Sequence, residues 1–259
     1  MFYFAISYIK FLLRSKNQHG VHSPFVYDLL TKCIYKKQLF SAFKLLKKYR
    51  EALLTDTSVI EVTDFGQGSR IFKSNTRSIQ DIAKHAGLTL KKQKLLFKIT
   101  TYFQPKNSLE LGTSLGLATM TLALASKKKM VTTIEGCSET SAKAGTYFKE
   151  FGASNIQLIN TKFSAFFTSE VFKTTSFDLV YIDGNHNKEN TLKYFETLLP
   201  KANNDSIFIF DDIYWSKEMT QAWEIIAADT LVTVSIDCFY WGIVFFRKEQ
   251  EKQHFILRM

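Results

Sequence analysis

The chain has 259 residues, a net charge of +10 and 46% hydrophobic residues, among them 24 Phe and 11 Tyr; that suffices for one α/β domain with an extension and a substantial core. With only 11 Gly and 3 Pro, long disordered linkers are not expected. Cys33, Cys137 and Cys238 are odd in number and far apart, which argues against a disulfide framework or a zinc knuckle and for a reducing, cytoplasmic setting.

The charge is unevenly placed. Residues 1–107 hold 19 Lys/Arg and 6 Asp/Glu, a net +13, whereas residues 108–259 hold 15 and 18, a net −3. The chain is read as a basic, mostly helical extension, residues 1–88, and a second part, residues 89–259, with the change of charge falling near the start of the second part. Met1 to Leu13 is apolar and aromatic, interrupted by Lys10 and followed by Arg14. It lacks the layout of a signal peptide and is too short to span a bilayer, which leaves contact with a membrane surface open. His19 and His22 are spaced like a metal pair but have no third ligand nearby, so loop packing or substrate contact is the expected role. Ser23 and Pro24 read as N-cap and first residue of a helix. Leu39, Phe43, Leu46, Tyr49 and Leu53 recur at helical spacing, with Lys44, Lys47, Lys48 and Arg50 mostly off that stripe. Val62 to Ser69 contains Asp64, Gly66 and Gly68 and resembles a nucleotide loop. The polar stretch Arg70 to Arg77 that follows does not read as a helix, so a loop facing the mouth of a site is the better reading. Ser78 caps a short helix that Gly87 ends, and Leu88 to Phe103 is a further helix.

From there strands and helices alternate. Strands are predicted near 108–111, 131–135, 156–160, 177–182, 207–210, 232–237 and 242–246. Alternation implies a mostly parallel α/β sheet with helices on both faces. The gap Cys238 to Trp241 is too short for a crossover helix and makes the last two of the seven strands an antiparallel hairpin.

The stretch Ser108-Leu-Glu-Leu-Gly-Thr-Ser-Leu-Gly116 is a strand, a glycine turn and the start of a helix. Gly112 lets the chain turn, Gly116 admits a close neighbour, and the helix that follows offers unpaired N–H groups and a positive dipole end. Glu135 ends the next strand, roughly 20 residues past the glycines, where an acid suits a pair of ribose hydroxyls. Two later strands end on Asp183-Gly-Asn-His186 and on Asp211-Asp212. Carboxyl ends of parallel strands form the ligand crevice. Three carboxylates converging there would repel unless a cation sat among them, and hard oxygen ligands suit Mg²⁺. The alternative is that these aspartates cap their own turns.

At these motifs the chain resembles the class I S-adenosylmethionine-dependent methyltransferases, and within them the metal-dependent catechol and caffeoyl-CoA O-methyltransferases and related sugar enzymes. Glu110-Leu-Gly112-x-x-x-Gly116, with Lys92-Gln93 and Phe103-Gln-Pro-Lys-Asn-Ser before it, carries the likeness, which runs over about residues 90 to 248. It implies a Rossmann-like methyltransferase sheet. It implies a cofactor site of Glu110, Gly112, Thr113, Ser114, Gly116, Glu135, Gly136, Asn160, Thr161 and Asp183, with the strand end at Asn160–Phe163 beside the adenine. Asp183, Asp211 and Asp212 match the family's metal ligands. The base departs from both branches: His186 stands where the catechol enzymes have Lys, and Asn185 where the sugar enzymes have Asp. Of the two only His186 can take a proton near neutral pH, so His186 and Asp183 are the expected catalytic residues.

The expected partner is a small hydroxylated acceptor, an anionic one being compatible with the basic extension; a homo-oligomer is also expected. An RNA or polyanion methyltransferase is the alternative that the +13 extension suggests, though no RNA module is recognisable. A non-enzymatic cofactor-fold or membrane-surface protein is the third reading. Trp215, Trp223, Tyr240 and Trp241 fall near the expected mouth, mostly as core.

Overall fold

The computed structural model describes residues 2–66, 68, 72–126 and 128–259. Gln67 and residues 69–71, which belong to the nucleotide-loop look-alike and the polar stretch after it, lie outside the described residues, as do Met1 and Lys127. By packing, the chain forms two compact units: Met1–Lys36 with Ser176–Met259, and Lys37–Thr175. The basic extension is therefore shared, its first 36 residues belonging to one unit and the remainder to the other.

The first unit begins with α1 (Phe2–Arg14) and α2 (Pro24–Asp28). Ser23 caps α2 as expected, its hydroxyl accepting from Val26 N–H at 3.4 Å, and α2 runs directly into a π-helical stretch, Leu29–Ile34.

The second unit opens with α3 (Ala42–Thr55), which buries Leu46, Tyr49 and Leu53. The predicted stripe is corrected at its start: Leu39 is 95% exposed, because the helix begins only after Ser41. The short strands β1 (Val59–Glu61) and β2 (Thr76–Ser78) pair antiparallel around the segment that contains Asp64. Helix α4 (Ile79–His85) follows, capped by Ser78, and then α5 (Leu90–Phe103), capped by Thr89. The alternating part of the unit comprises β3 (Asn107–Leu111), α6 (Leu117–Ala125), β4 (Met130–Glu135), α7 (Ser138–Glu150), β5 (Ile156–Asn160) and two short helices, α8 (Phe163–Phe166) and α9 (Glu170–Thr174). β3, β4 and β5 are parallel neighbours in that order. Residues 108–111 of β3 are all buried, and so is α6 from Leu117 to Ala123. Apolar content around the whole helix fits its place between α5 and the sheet.

The first unit resumes with β6 (Leu179–Ile182), α10 (Lys188–Leu198), β7 (Ile207–Asp211), α11 (Lys217–Ala228), β8 (Val234–Asp237), β9 (Trp241–Phe245) and β10 (Gln253–Ile256). Its strand order is β10-β8-β9-β7-β6. β6 and β7 are parallel, and β9 is antiparallel to both β7 and β8, as the short Cys238–Trp241 gap required. β6, β7, β8 and β9 are buried along their whole length, the pattern of strands covered on both faces.

Eight strands, β3 to β10, make up one mostly parallel sheet, one more than the seven predicted. The extra strand is β10, parallel to β8 with Gln253 opposite Val234. It is short and half polar, an edge strand whose pairing comes from its neighbour rather than from an apolar run of its own.

Candidate cofactor and acceptor site

In the second unit the turn after β3 is built on left-handed backbone. Gly112 has φ of 105°, Ser114 of 48° and Gly116 of 74°. Left-handed conformation at a non-glycine residue is uncommon and concentrates at functional sites. At Gly116 a side chain is excluded twice over, since an added Cβ would also stand 2.3 Å from the Phe148 ring and 3.0 Å from the Tyr49 hydroxyl. Tyr49, fully buried on α3, donates its hydroxyl to the Leu115 carbonyl at 2.8 Å. The basic extension thus holds the turn directly.

Glu135 ends β4, and both its oxygens face this turn and the next. Oε2 accepts the Ser114 N–H at 2.8 Å and Oε1 the Cys137 N–H at 2.9 Å. Gly112 and Thr113 donate their N–H groups to the Ile134 carbonyl at 3.0 and 3.2 Å. Burial raises the Glu135 pKa above the ordinary carboxylate value, opposed by the N–H groups of Cys137, Ser114 and Gly136 and reinforced by the charge of Asp64. Asn160 Nδ2 donates to the Glu135 carbonyl at 2.7 Å, as does Thr161 N–H at 2.9 Å. Gly112, Ser114, Glu135, Gly136, Asn160 and Thr161 are therefore brought together around one pair of turns.

Glu110 and Thr113 occupy a different layer. Glu110 is fully buried, and its Oε2 accepts from the hydroxyls of Thr119 and Thr133, the latter at 2.6 Å. Thr113 and Thr133 join hydroxyls at 2.6 Å. Glu110 Oε1 has no hydrogen-bond partner. Burial pushes the Glu110 carboxyl up to about 8, against the pull of the two threonine hydroxyls and with the help of the Glu135 charge. Glu110 thus braces the turn from below.

Phe65 is a contact that sequence reasoning missed. Its ring lies over Gly136, where an added Cβ would come within 2.7 Å, and Lys162 Nζ sits 5.0 Å from the same ring. Thr63 N–H donates to Cys137 Sγ at 3.4 Å, and Glu61 N–H to Glu139 Oε2 at 2.7 Å. The segment taken from sequence as a loop at the mouth of a site is packed on the Glu135–Cys137 turn. Its one sequence signal was an aromatic residue inside an otherwise polar, glycine-bearing stretch.

In the first unit the strand ends carry the other expected residues. Asp183 follows β6, and its Oδ1 lies 3.5 Å from His186 Nε2. Asn185 and His186 both have positive φ, 67° and 33°, and Asp212 after β7 has 52°. Asn185 is bonded to the Tyr194 hydroxyl. The His186 ring lies 5.8 Å from that of Trp215. Asp211, buried at the end of β7, accepts the Tyr181 hydroxyl on Oδ2 at 3.0 Å and the Asp212 N–H on Oδ1 at 2.9 Å. Trp223 and Trp241 are core, whereas Tyr240 is exposed.

The chemistry of Asp183, Asp211 and Asp212 suits a hard cation, but their arrangement does not. Among the described residues no group of three or more His, Cys, Asp or Glu is placed to hold a metal ion.

The glycine turn between β3 and α6, the acid-ended β4 and the mostly parallel sheet with its antiparallel β9 make a Rossmann-like α/β fold. Residues 109–213 match the family model described as a methyltransferase domain. In fold the chain is similar to an S-adenosylhomocysteine-bound methyltransferase, PaMTH1, from Podospora anserina: 14% identity, TM-score 0.61, covering 88% of this chain and 98% of that one. It is similar also to an O-methyltransferase from Bacillus cereus in complex with S-adenosylhomocysteine, at 17% identity and TM-score 0.54, covering 85% and 96%. A third is the O-methyltransferase TomG from Streptomyces achromogenes, involved in tomaymycin synthesis and solved with S-adenosylmethionine, at 18% identity and TM-score 0.54, covering 90% and 99%. Among curated protein sequences none matches.

Proposed function

We propose that the protein transfers a methyl group from S-adenosylmethionine to a hydroxyl oxygen of a small acceptor. The observation that carries this reading is Glu135, a half-buried carboxylate held at the end of β4 by the Ser114 and Cys137 N–H groups, beside the left-handed turn Gly112–Gly116. An acid in that place takes the two ribose hydroxyls of a nucleoside cofactor, and the open turn receives the methionine part. Asn160 and Thr161, bonded to the Glu135 carbonyl, border the adenine, and Phe65 over Gly136 shields the ribose edge.

In the reaction the acceptor oxygen attacks the methyl carbon as the carbon–sulfur bond breaks. The bond's electron pair stays on sulfur, and S-adenosylhomocysteine leaves. Most of the acceleration comes from alignment of oxygen, carbon and sulfur. The hydroxyl proton goes to His186. With Nε2 turned to Asp183, the imidazole is oriented to accept on Nδ1. The basic extension serves as a cap over the site, a reading supported by the burial of Leu46, Tyr49 and Leu53, which a nucleic-acid arm would not need.

Metal assistance by Asp183, Asp211 and Asp212 is the finer part of the proposal. It needs these side chains to gather in a way they do not here, so no step is routed through a cation. Titration calorimetry with S-adenosylhomocysteine tests the cofactor reading: Glu135→Ala should bind at least about tenfold more weakly with the fold intact, as loss of charged hydrogen bonds implies. Equal affinity would overturn it.

A further inference from the structure

Helix α1 is apolar on two opposite sides. At about 100° per residue, Phe4, Ser7, Tyr8 and Phe11 share one face. This face docks: Ser7 and Phe11 are buried, and the rings of Phe4, Tyr8 and Phe11 lie 5.0, 4.8 and 5.4 Å from that of Phe239. Tyr3 adds a hydrogen bond to the Thr220 hydroxyl at 2.8 Å. Phe2, Ile6, Ile9 and Leu13 form a second stripe, centred about 180° away. They are 82%, 39%, 59% and 82% exposed. A helix already anchored by one face gains nothing for the fold from a second apolar stripe.

The charges around the stripe name its occupant. Lys10, Arg14 and Lys16 stand on or just after α1, and no Asp or Glu occurs before Asp28. A cationic helix with aromatic and aliphatic side chains outward suits an interface between water and anionic lipid, where apolar burial and attraction to headgroups act together. Thirteen residues make a helix of about 20 Å, too short to cross a hydrocarbon core of about 30 Å but able to lie along its surface. Among the described residues no helix is long and apolar enough to cross a membrane. A second copy of the chain fits less well. The exposed face of so short a helix falls below the roughly 800 Å² per partner of a stable interface, and it would bring like charges together.

We propose that α1 seats the protein on anionic phospholipid surfaces through Phe2, Ile6, Ile9 and Leu13, with Lys10 and Lys16 at the headgroups. The test is flotation of the full chain with vesicles of phosphatidylcholine plus phosphatidylserine, and with phosphatidylcholine alone. The expected result is binding to the mixed vesicles, weakened by salt. Ile9→Ser combined with Leu13→Ser should reduce it about tenfold or more, Lys10→Glu should reduce it too, and in neither case should circular dichroism change. No flotation, or equal flotation with both vesicle types regardless of salt, overturns the proposal. So does a concentration-dependent dimer in sedimentation velocity that forms without flotation and dissolves in the double variant, which would assign the stripe to a second copy.

Discussion

Neutralising Glu110 should make the protein more stable at neutral pH, although the residue lies on β3 just before the glycine turn. The carboxyl is fully buried and pushed up to about 8, from an ordinary 4.5. Between those two values the folded chain holds a proton that the unfolded chain has lost. Stability therefore falls as pH rises through this window, by about 1.4 kcal/mol per pH unit. Below it both states are protonated and nothing is lost. Glu110→Gln keeps a carbonyl oxygen for the Thr119 and Thr133 hydroxyls and places its amide where Oε1 has no partner. The variant removes the titration, and with it the slope. From about pH 5.5 to about pH 7.5 its stability relative to the wild type should rise by about 3 kcal/mol. Urea unfolding followed by circular dichroism at a series of pH values measures that difference. Parallel pH profiles for the two proteins would refute the account of Glu110 as a neutral, buried acid.

Three further outcomes are expected. Gly116→Ala imposes a side chain at φ of 74° and 2.3 Å from the Phe148 ring, so it should lower unfolding free energy by about 2–4 kcal/mol and weaken cofactor binding, both readable from urea melts with and without S-adenosylhomocysteine. Asp56 would have its pKa raised by burial, but Lys143, Ser58 and Tyr147 outweigh this and hold it well below the usual range. The stability it contributes is present above the ordinary value of 3.8 and is lost as pH falls toward the depressed one; Asp56→Asn should cost about 1–3 kcal/mol at neutral pH and almost nothing in strong acid. If a divalent cation is used, chelation and Asp211→Ala should both abolish turnover while leaving cofactor affinity unchanged, whereas His186→Ala should lower kcat about 100-fold or more under either regime. Turnover indifferent to chelator would remove the metal from the proposal.

The sheet was legible in the sequence because strands such as β6 and β7 are almost wholly apolar and strands alternate with helices. β5 carries the predicted bounds, and β3, β4, β6, β7, β8 and β9 each lie within two residues of them at either end. β10 was not legible. Gln253-His-Phe-Ile256 follows the polar run Glu249-Gln-Glu-Lys252 and becomes a strand only because β8 offers it an edge. The turn at Gly112–Gly116 and the acid at Glu135 stood out by spacing alone. The place of Glu110 did not: its partners Thr119 and Thr133 are 9 and 23 residues away, on elements whose register only the folded sheet sets. Phe65 was hidden for the same reason, its partner Gly136 being on a separate strand end. The aspartates were found at the correct strand ends, but side-chain direction after a left-handed residue such as Asp212 cannot be read from spacing.

The pairing of distant segments in the first unit bears on how the chain is made. Lys16 N–H bonds to the Ile256 carbonyl at 2.9 Å, Arg258 N–H to the Lys16 carbonyl at 3.1 Å, and the Tyr35 hydroxyl to the Arg258 carbonyl at 2.7 Å across a sequence separation of 223. During synthesis, residues 37–175 emerge as a continuous stretch that holds all its own strands, and can close while translation proceeds. The first 36 residues emerge earlier still but have to wait for partners made much later, Thr220 and Phe239 for α1 and Ile256 and Arg258 for Lys16 and Tyr35. For that interval α1 has both apolar sides uncovered, so the nascent protein is a client for chaperones, or for a bilayer, until Thr220 and Phe239 are free to receive it.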